Sequence, residues 1–202
     1  RSIVIATGGR PFVPPIAGLE QVDYLTSETV WALRKRPKRL LVLGGGPIGC
    51  ELAQTFARLG CSVTQVEQGD RLLEREDSDA AALVAQRFAA EGIDLRLGHE
   101  ATRIEVLDSG EKTLLAQHAG GTVRIEFDAL LIAVGRRANL DGFGLQELGV
   151  ATDRTVEVNA FLQTNFPNIY AAGDVAGPYQ FTHVAAHQAW YAAVNALFDP
   201  FK

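Results

Sequence analysis

An α/β fold built on a parallel sheet is predicted by three features of this 202-residue sequence. Strand-like and helix-like runs alternate between Leu40 and Leu97, a run of glycines sits where the first of those strands meets the first helix, and three apolar runs each end in Ala-x-Gly. Those three runs cover residues 3–8, 131–135 and 169–173, and each reads as a buried strand that breaks at a glycine, where backbone can approach a ligand or cross between domains. They divide the chain into three parts.

The first part, to about residue 37, is rich in proline and glycine (Pro11, Pro14, Pro15, Gly18), and Ser27 is then placed to cap a short helix that ends in basic residues. It reads as connector rather than core. The second part runs strand 40–43, helix 47–59, strand 62–67, helix 79–91 and strand 94–97. That order implies parallel strands joined by right-handed crossovers. Three further strand-like runs, 103–107, 113–117 and 122–127, have Gly110 and Gly120-Gly121 at the turns between them and read as an antiparallel meander ahead of strand 129–134. The third part holds a helical piece near 145–148, the strand ending at Gly173 and a helix over 184–197. Its apolar positions are too few for a domain of its own, so it must pack on something else.

Composition removes several classes of function. A formal charge of −5, with the basic residues scattered apart from a cluster between Arg34 and Arg39, gives no footprint for nucleic acid. No apolar run reaches the roughly 20 residues of a membrane span, and the start lacks the regions of a signal peptide, so a cytoplasmic protein is expected. Cys50 and Cys61, eleven positions apart, match neither a CxxC redox pair nor a metal-ligand set, and both read as buried structural thiols. One lies on the first helix of the second part and the other just past its end, about 16 Å further along the axis, too far for a disulfide. No metal site is expected. Methionine is absent and Arg1 leads straight into a strand-like run, so the chain reads as part of a longer protein.

The motif with the most chemistry runs from Leu40 to Ala53. Gly44, Gly46 and Gly49 form GxGxxG after a strand and at the opening of a helix, where backbone N–H groups and the helix dipole can hold a pyrophosphate. In this reading Gly44 makes the tight turn, Gly46 lets the backbone close on the phosphate, Pro47 and Ile48 open the helix, and Gly49 lets helix and strand pack. Glu67 ends the second strand 23 residues after Gly44, where an acidic side chain takes the hydroxyls of the adenine ribose. The expectation is a Rossmann-like three-layer nucleotide domain carrying an antiparallel meander. A carboxylate accepts from free 2′- and 3′-hydroxyls but repels a 2′-phosphate, so NAD(H) is expected in preference to NADP(H). Arg71, close by in sequence, tempers that preference because it could swing toward a phosphate.

Around this motif stand Ala6-Thr7-Gly8, then Gly135-Arg136-Arg137-Ala138-Asn139, then Gly173-Asp174 at the end of 164–174. In that order the four motifs resemble the pyridine nucleotide-disulfide oxidoreductase family over essentially the whole chain. The resemblance implies a split FAD domain interrupted by the NAD(H) domain: residues 1–36 as the end of the first FAD segment and connector, 37–136 as the NAD(H)-binding domain, and 137–202 as the second FAD segment. It implies that Ala6, Thr7, Gly8, Gly173 and Asp174 lie at the FAD site, with Asp174 bonding a ribityl hydroxyl. Thr182, His183, Val184 and Ala185 would lie against the flavin, with the following helix aiming its positive end at the flavin edge that becomes negative on reduction. Glu51 would stand near the nicotinamide, and Gly135 would let backbone pass the nicotinamide ribose.

Two departures from the family pattern matter. Pro47 replaces a tyrosine that gates the nicotinamide pocket in some relatives. His183 and His187 are not the His-Glu pair of the family's interface domain and read as packing or surface residues. The segment 51–60 is most similar to the mercuric reductase branch. The implied function is passage of hydride from NADH to FAD and on to a disulfide or thiolate-bound metal, as in dihydrolipoamide dehydrogenase or mercuric reductase, in a homodimer acting on a small molecule or small thiol. No catalytic residue for the second half-reaction is identified in these 202 residues. An NADH oxidase or ferredoxin reductase without a redox disulfide, and a nucleotide-binding or sensing module, remain open. Because only one GxGxxG is present, these 202 residues are expected to purify colourless. Stoichiometric bound FAD, read from the visible spectrum, would contradict that.

Overall fold

The computed structural model describes residues 1–198 and is mixed α/β. Its strands, in chain order, are β1 (Ile3–Ile5), β2 (Gly9–Pro11), β3 (Tyr24–Leu25), β4 (Arg39–Leu43), β5 (Ser62–Val66) and β6 (Asp94–Arg96). They continue with β7 (Glu100–Val106), β8 (Lys112–His118), β9 (Gly121–Phe127), β10 (Ala129–Ile132), β11 (Arg136–Ala138) and β12 (Ile169–Ala171). The α-helices are α1 (Pro47–Arg58), α2 (Ser78–Ala90), α3 (Leu145–Leu148) and α4 (Thr182–Phe198). Two compact units result, one made of residues 11–135 and the other of residues 1–10 together with 136–202.

In the unit 11–135, five strands form a parallel sheet in the order β3-β10-β4-β5-β6. Four consecutive apolar residues, Leu40 to Leu43, make β4 a central strand because a parallel sheet is covered on both faces. Alternation then sorts them. Leu41 and Leu43, with Leu130 and Ile132 of β10, pack under Ile104, Leu114, Ile125 and Phe127 of the antiparallel sheet β7-β8-β9. Leu40, Val42 and Leu131 face the helices, against Leu52 and Ala53 of α1 and Phe88 of α2. The ends of the two helices are tied by Glu91, whose carboxylate takes Arg58 and Arg87 and is held down at about 2 by those partners, Arg58 first.

The segment read as connector contributes more than expected. Ile16, Leu19 and Val22 are buried in the same cluster as the meander, and Tyr24–Leu25 adds the edge strand of the parallel sheet. Its predicted helix is only a short 3-10 turn, Val30–Ala32. The N-cap of this turn is Thr29 rather than Ser27, and no side-chain hydrogen bond caps it; the hydroxyls of Thr26 and Thr29 instead tie the preceding turn. Thr26 Oγ1 accepts the Glu28 N–H and Thr29 Oγ1 accepts the Thr26 N–H, while Ser27 gives its carbonyl to the Trp31 indole.

In the second unit β1 pairs with β12 in parallel, and β2 with β11. The expectation of buried strands holds for β12 but not for β1. Ile3 is 53% and Val4 42% exposed, one on each face of the strand, and only Ile5 is buried. Helix α4 is apolar around its circumference yet buries only Ala192 and Asn195, leaving Trp190, Tyr191, Leu197 and Phe198 exposed. No helix among the described residues is long and apolar enough to cross a membrane.

Candidate functional site

The turn from β4 into α1 is built by glycines with different reasons for being glycine. Gly44 has φ +105, and a Cβ there would lie 2.4 Å from the Ala133 carbonyl oxygen. Gly49 sits where a Cβ would lie 2.2 Å from the Gly44 carbonyl oxygen, so only a bare Cα lets the helix start this close to the strand. Both are demanded by the fold. Gly46 is not: it has φ −73 and ψ 178, open to any residue, and a Cβ there would meet nothing within 4 Å. It caps α1 with no side-chain hydrogen bond and is followed by Pro47, whose missing N–H costs nothing at this position. The remaining N–H groups of the first helical turn have no intrahelical acceptor. An open space in front of an uncapped helix N-terminus fits a pyrophosphate.

Glu67 lies beside this turn. One carboxylate oxygen accepts the Gly45 N–H and the other accepts the Gly69 N–H at 2.7 Å. Both acceptances fix the side chain, which is half-buried, and each oxygen keeps a second lone pair for a hydroxyl. Gly45 was not singled out from the sequence as a site residue, though the Gly-Gly-Gly run is its signal. A Cβ on it would come within 2.9 Å of Glu67 and Leu72. Its carbonyl accepts the N–H of Leu73, a non-glycine residue at φ 50, so the loop after β5 is latched onto the turn. Gly135, at φ +139, ends the segment whose Ala133 presses on Gly44, and Glu51 is exposed one turn into α1.

Beneath the turn lies Gln65, fully buried in β5, donating from Nε2 to the Gly44 carbonyl at 2.9 Å. It escaped notice because its side chain is polar, although alternation sets it on the same face as the buried Val63. Cys50 gives its S–H to the Gly45 carbonyl at 3.3 Å, and burial pushes its thiol up to about 11. Burial also raises Cys61; both cysteines are free and buried. A thiol whose pKa rises on folding stabilises the native state fully below its ordinary value and loses that contribution as pH climbs through the folded value. Between pH of about 8.5 and about 11, unfolding titrations are therefore expected to show a steeper loss of stability for the native sequence than for Cys50→Ala. Equal slopes would contradict the buried thiol. Among the described residues no group of His, Cys, Asp and Glu could hold a metal ion.

The second set of predicted residues gathers in the other unit. The Ile5 carbonyl accepts the Ala172 N–H, which sets residues 6–8 beside Gly173 and Asp174 at the ends of paired strands. Thr7 donates its hydroxyl to the Asn139 carbonyl, and Asn139 Nδ2 returns a bond to the Thr7 carbonyl. Asp174 is ion-paired with Arg136 at 3.1 Å, and Arg136 also donates to the Gly9 carbonyl. Arg136 and Asn139 thus give the Gly-Arg-Arg-Ala-Asn motif a structural task. Gly173, at φ +82, donates its N–H to Gln188 and lies against Ala185, so Ala185 and the Gly173 turn are neighbours. Thr182 and His183 are exposed on the first turn of α4, Val184 is half-buried, and His183 stacks on Phe181.

A family model described as pyridine nucleotide-disulphide oxidoreductase matches residues 1–189. The chain belongs to that family. It is 42% identical over 200 residues to a mercuric reductase of Lysinibacillus sphaericus, covering 98% of this chain and 36% of the relative. It is 36% identical over 195 residues to a dihydrolipoyl dehydrogenase of Bacillus subtilis (strain 168), covering 96% of this chain and 42% of that one. Among solved structures, the HOCl-induced flavoprotein disulfide reductase RclA from Escherichia coli superposes with a TM-score of 0.88 at 32% identity, covering 100% of this chain and 46% of that one. The chain therefore spans less than half the length of these members of an FAD- and NAD(P)-dependent enzyme family.

Proposed function

We propose that the Gly44–Glu67 region holds NAD(H) in preference to NADP(H), in a flavoprotein that passes hydride from NADH to FAD and on to a disulfide or thiolate-bound metal. The observation that carries the nucleotide choice is the Glu67 carboxylate, oriented by two backbone N–H groups beside the glycine turn. A phosphate charge about 5 Å from it meets about 3 kcal/mol of repulsion at an effective dielectric of about 20, whereas ribose hydroxyls meet acceptors. Arg71, the nearby arginine in sequence, turns its guanidinium to the Glu74 carbonyl.

When bound, the two dinucleotides supply the hydride chemistry. The chain's own part is to hold them. Gly46, Pro47, Ile48 and Gly49 present the helix N-terminus to the pyrophosphate, Glu67 takes the adenine ribose, and Gly135 and Glu51 border the nicotinamide end. Ala6, Thr7, Gly8, Gly173 and Asp174 border FAD, with Asp174 fixed by Arg136 to receive a hydroxyl. Thr182, His183, Val184 and Ala185 open α4 toward the flavin. We read residues 37–136 as a Rossmann-like NAD(H) domain with its meander, inserted in an FAD domain supplied by 1–36 and 137–202. Support for the split comes from the unit made of residues 1–10 and 136–202 being assembled from two pieces on either side of the other, whereas residues 11–36, the connector part of the first segment, pack with the unit 11–135. The whole protein is read as a cytoplasmic homodimer acting on a small molecule or small thiol.

Anaerobic titration of the full-length flavoprotein tests this reading. NADH should bleach the flavin absorbance at concentrations at least tenfold below NADPH. Bleaching by NADPH alone would overturn the nucleotide assignment, and bleaching by neither would overturn the hydride path.

A further inference from the structure

Two histidines outside the residues assigned above stack beside the Glu67 loop. The rings of His99 and His118 lie 4.0 Å apart with planes within 4°. His99 Nδ1 meets the Leu97 carbonyl at 2.7 Å and His118 Nδ1 meets the Gly98 carbonyl at 3.0 Å. A carbonyl oxygen only accepts, so both rings carry a proton on Nδ1 and both are fixed in orientation. His99 is buried, whereas His118 ends β8 in an exposed position. No other ring among the described residues stacks on it. Gly98 adopts φ +65, the left-handed region that favours glycine, and its backbone lies in ordinary contact distance of the His118 ring.

The pair is built on the same few residues as the carboxylate. His99 donates its N–H to the Glu67 carbonyl at 3.0 Å, Gly98 donates to the Gly69 carbonyl at 2.8 Å, and Gly69 donates to the Glu67 carboxylate. A purine base is one glycosidic bond from the ribose that Glu67 reads. An exposed imidazole held flat by a ring behind it and a hydrogen bond at its edge has already lost the side-chain freedom that stacking would cost. Solubility alone needs no such restraint.

We propose that His118, backed by His99, is the stacking surface for the purine ring of the bound dinucleotide, and thus a determinant of affinity at its adenine end. The proposal rests on the reading that the Gly44–Glu67 region binds a dinucleotide. The test is calorimetric titration of the chain with ADP-ribose, alongside proton NMR of the histidine rings. For His118→Ala, affinity should fall about fivefold, the scale of one aromatic stack. His118→Phe, which keeps the flat face, should stay within about twofold of the native chain. The His118 ring proton should move upfield on binding. Binding by His118→Ala equal to the native chain would overturn the stacking role and leave the dinucleotide reading intact. An equal loss in the Ala and Phe variants would assign the effect to the Nδ1 bond and overturn it too. Failure of the native chain to bind ADP-ribose or NADH would bring down both.

Discussion

Gly49→Ala should destabilise the unit 11–135 by about 2–4 kcal/mol, while Gly46→Ala, three residues earlier, should leave its stability within about 0.5 kcal/mol of the native chain. The Cβ at Gly49 lands 2.2 Å from one backbone atom and 3.1 Å from another, so no side-chain rotation relieves it. Helix α1 would have to back away from β4, loosening Leu52 and Ala53 in the core beneath. At Gly46 the added methyl meets nothing. It does enter the space before the helix N-terminus, so NADH affinity should drop tenfold or more with the fold intact. Urea unfolding followed by circular dichroism, paired with NADH titration, separates the two. Native NADH affinity in Gly46→Ala would show that no pyrophosphate approaches this turn.

Glu67→Ala is expected to weaken NADH binding by about 1–3 kcal/mol while leaving NADPH binding unchanged or improved. The loss has two sources. Charge-assisted bonds to the ribose hydroxyls disappear, and the N–H groups of Gly45 and Gly69 lose the acceptor that orders the loop. The second source affects both nucleotides, whereas the first affects only NADH, and removal of the negative charge favours NADPH. Parallel titrations of the variant with both nucleotides check this. Equal losses for the two would mean that Glu67 only braces the loop.

Much of this was legible in the sequence for identifiable reasons. Four apolar residues that run straight into three glycines read as a strand buried on both faces, so β4 and the turn after it were readable from local pattern, as were β7, β8 and β9 from their turn glycines. The edge strand Tyr24–Leu25 was not, because two residues carry no periodicity and are recruited by the neighbouring β10. Gln65 and the His99–His118 stack were also out of reach. Each is defined by a contact across 19 to 21 positions of chain, and neither residue type signals its partner. The four-motif resemblance pointed to Asp174 but not to its ion pair with Arg136, which depends on how two distant segments fold together.

Calorimetric titration of the unaltered chain with NADH and with NADPH, at one ionic strength, tests the central claim most directly. The account predicts one NADH per chain, bound at least tenfold more tightly than NADPH. Tighter binding of NADPH would contradict the role given to Glu67, and binding of neither would contradict a dinucleotide site at the Gly44–Gly49 turn.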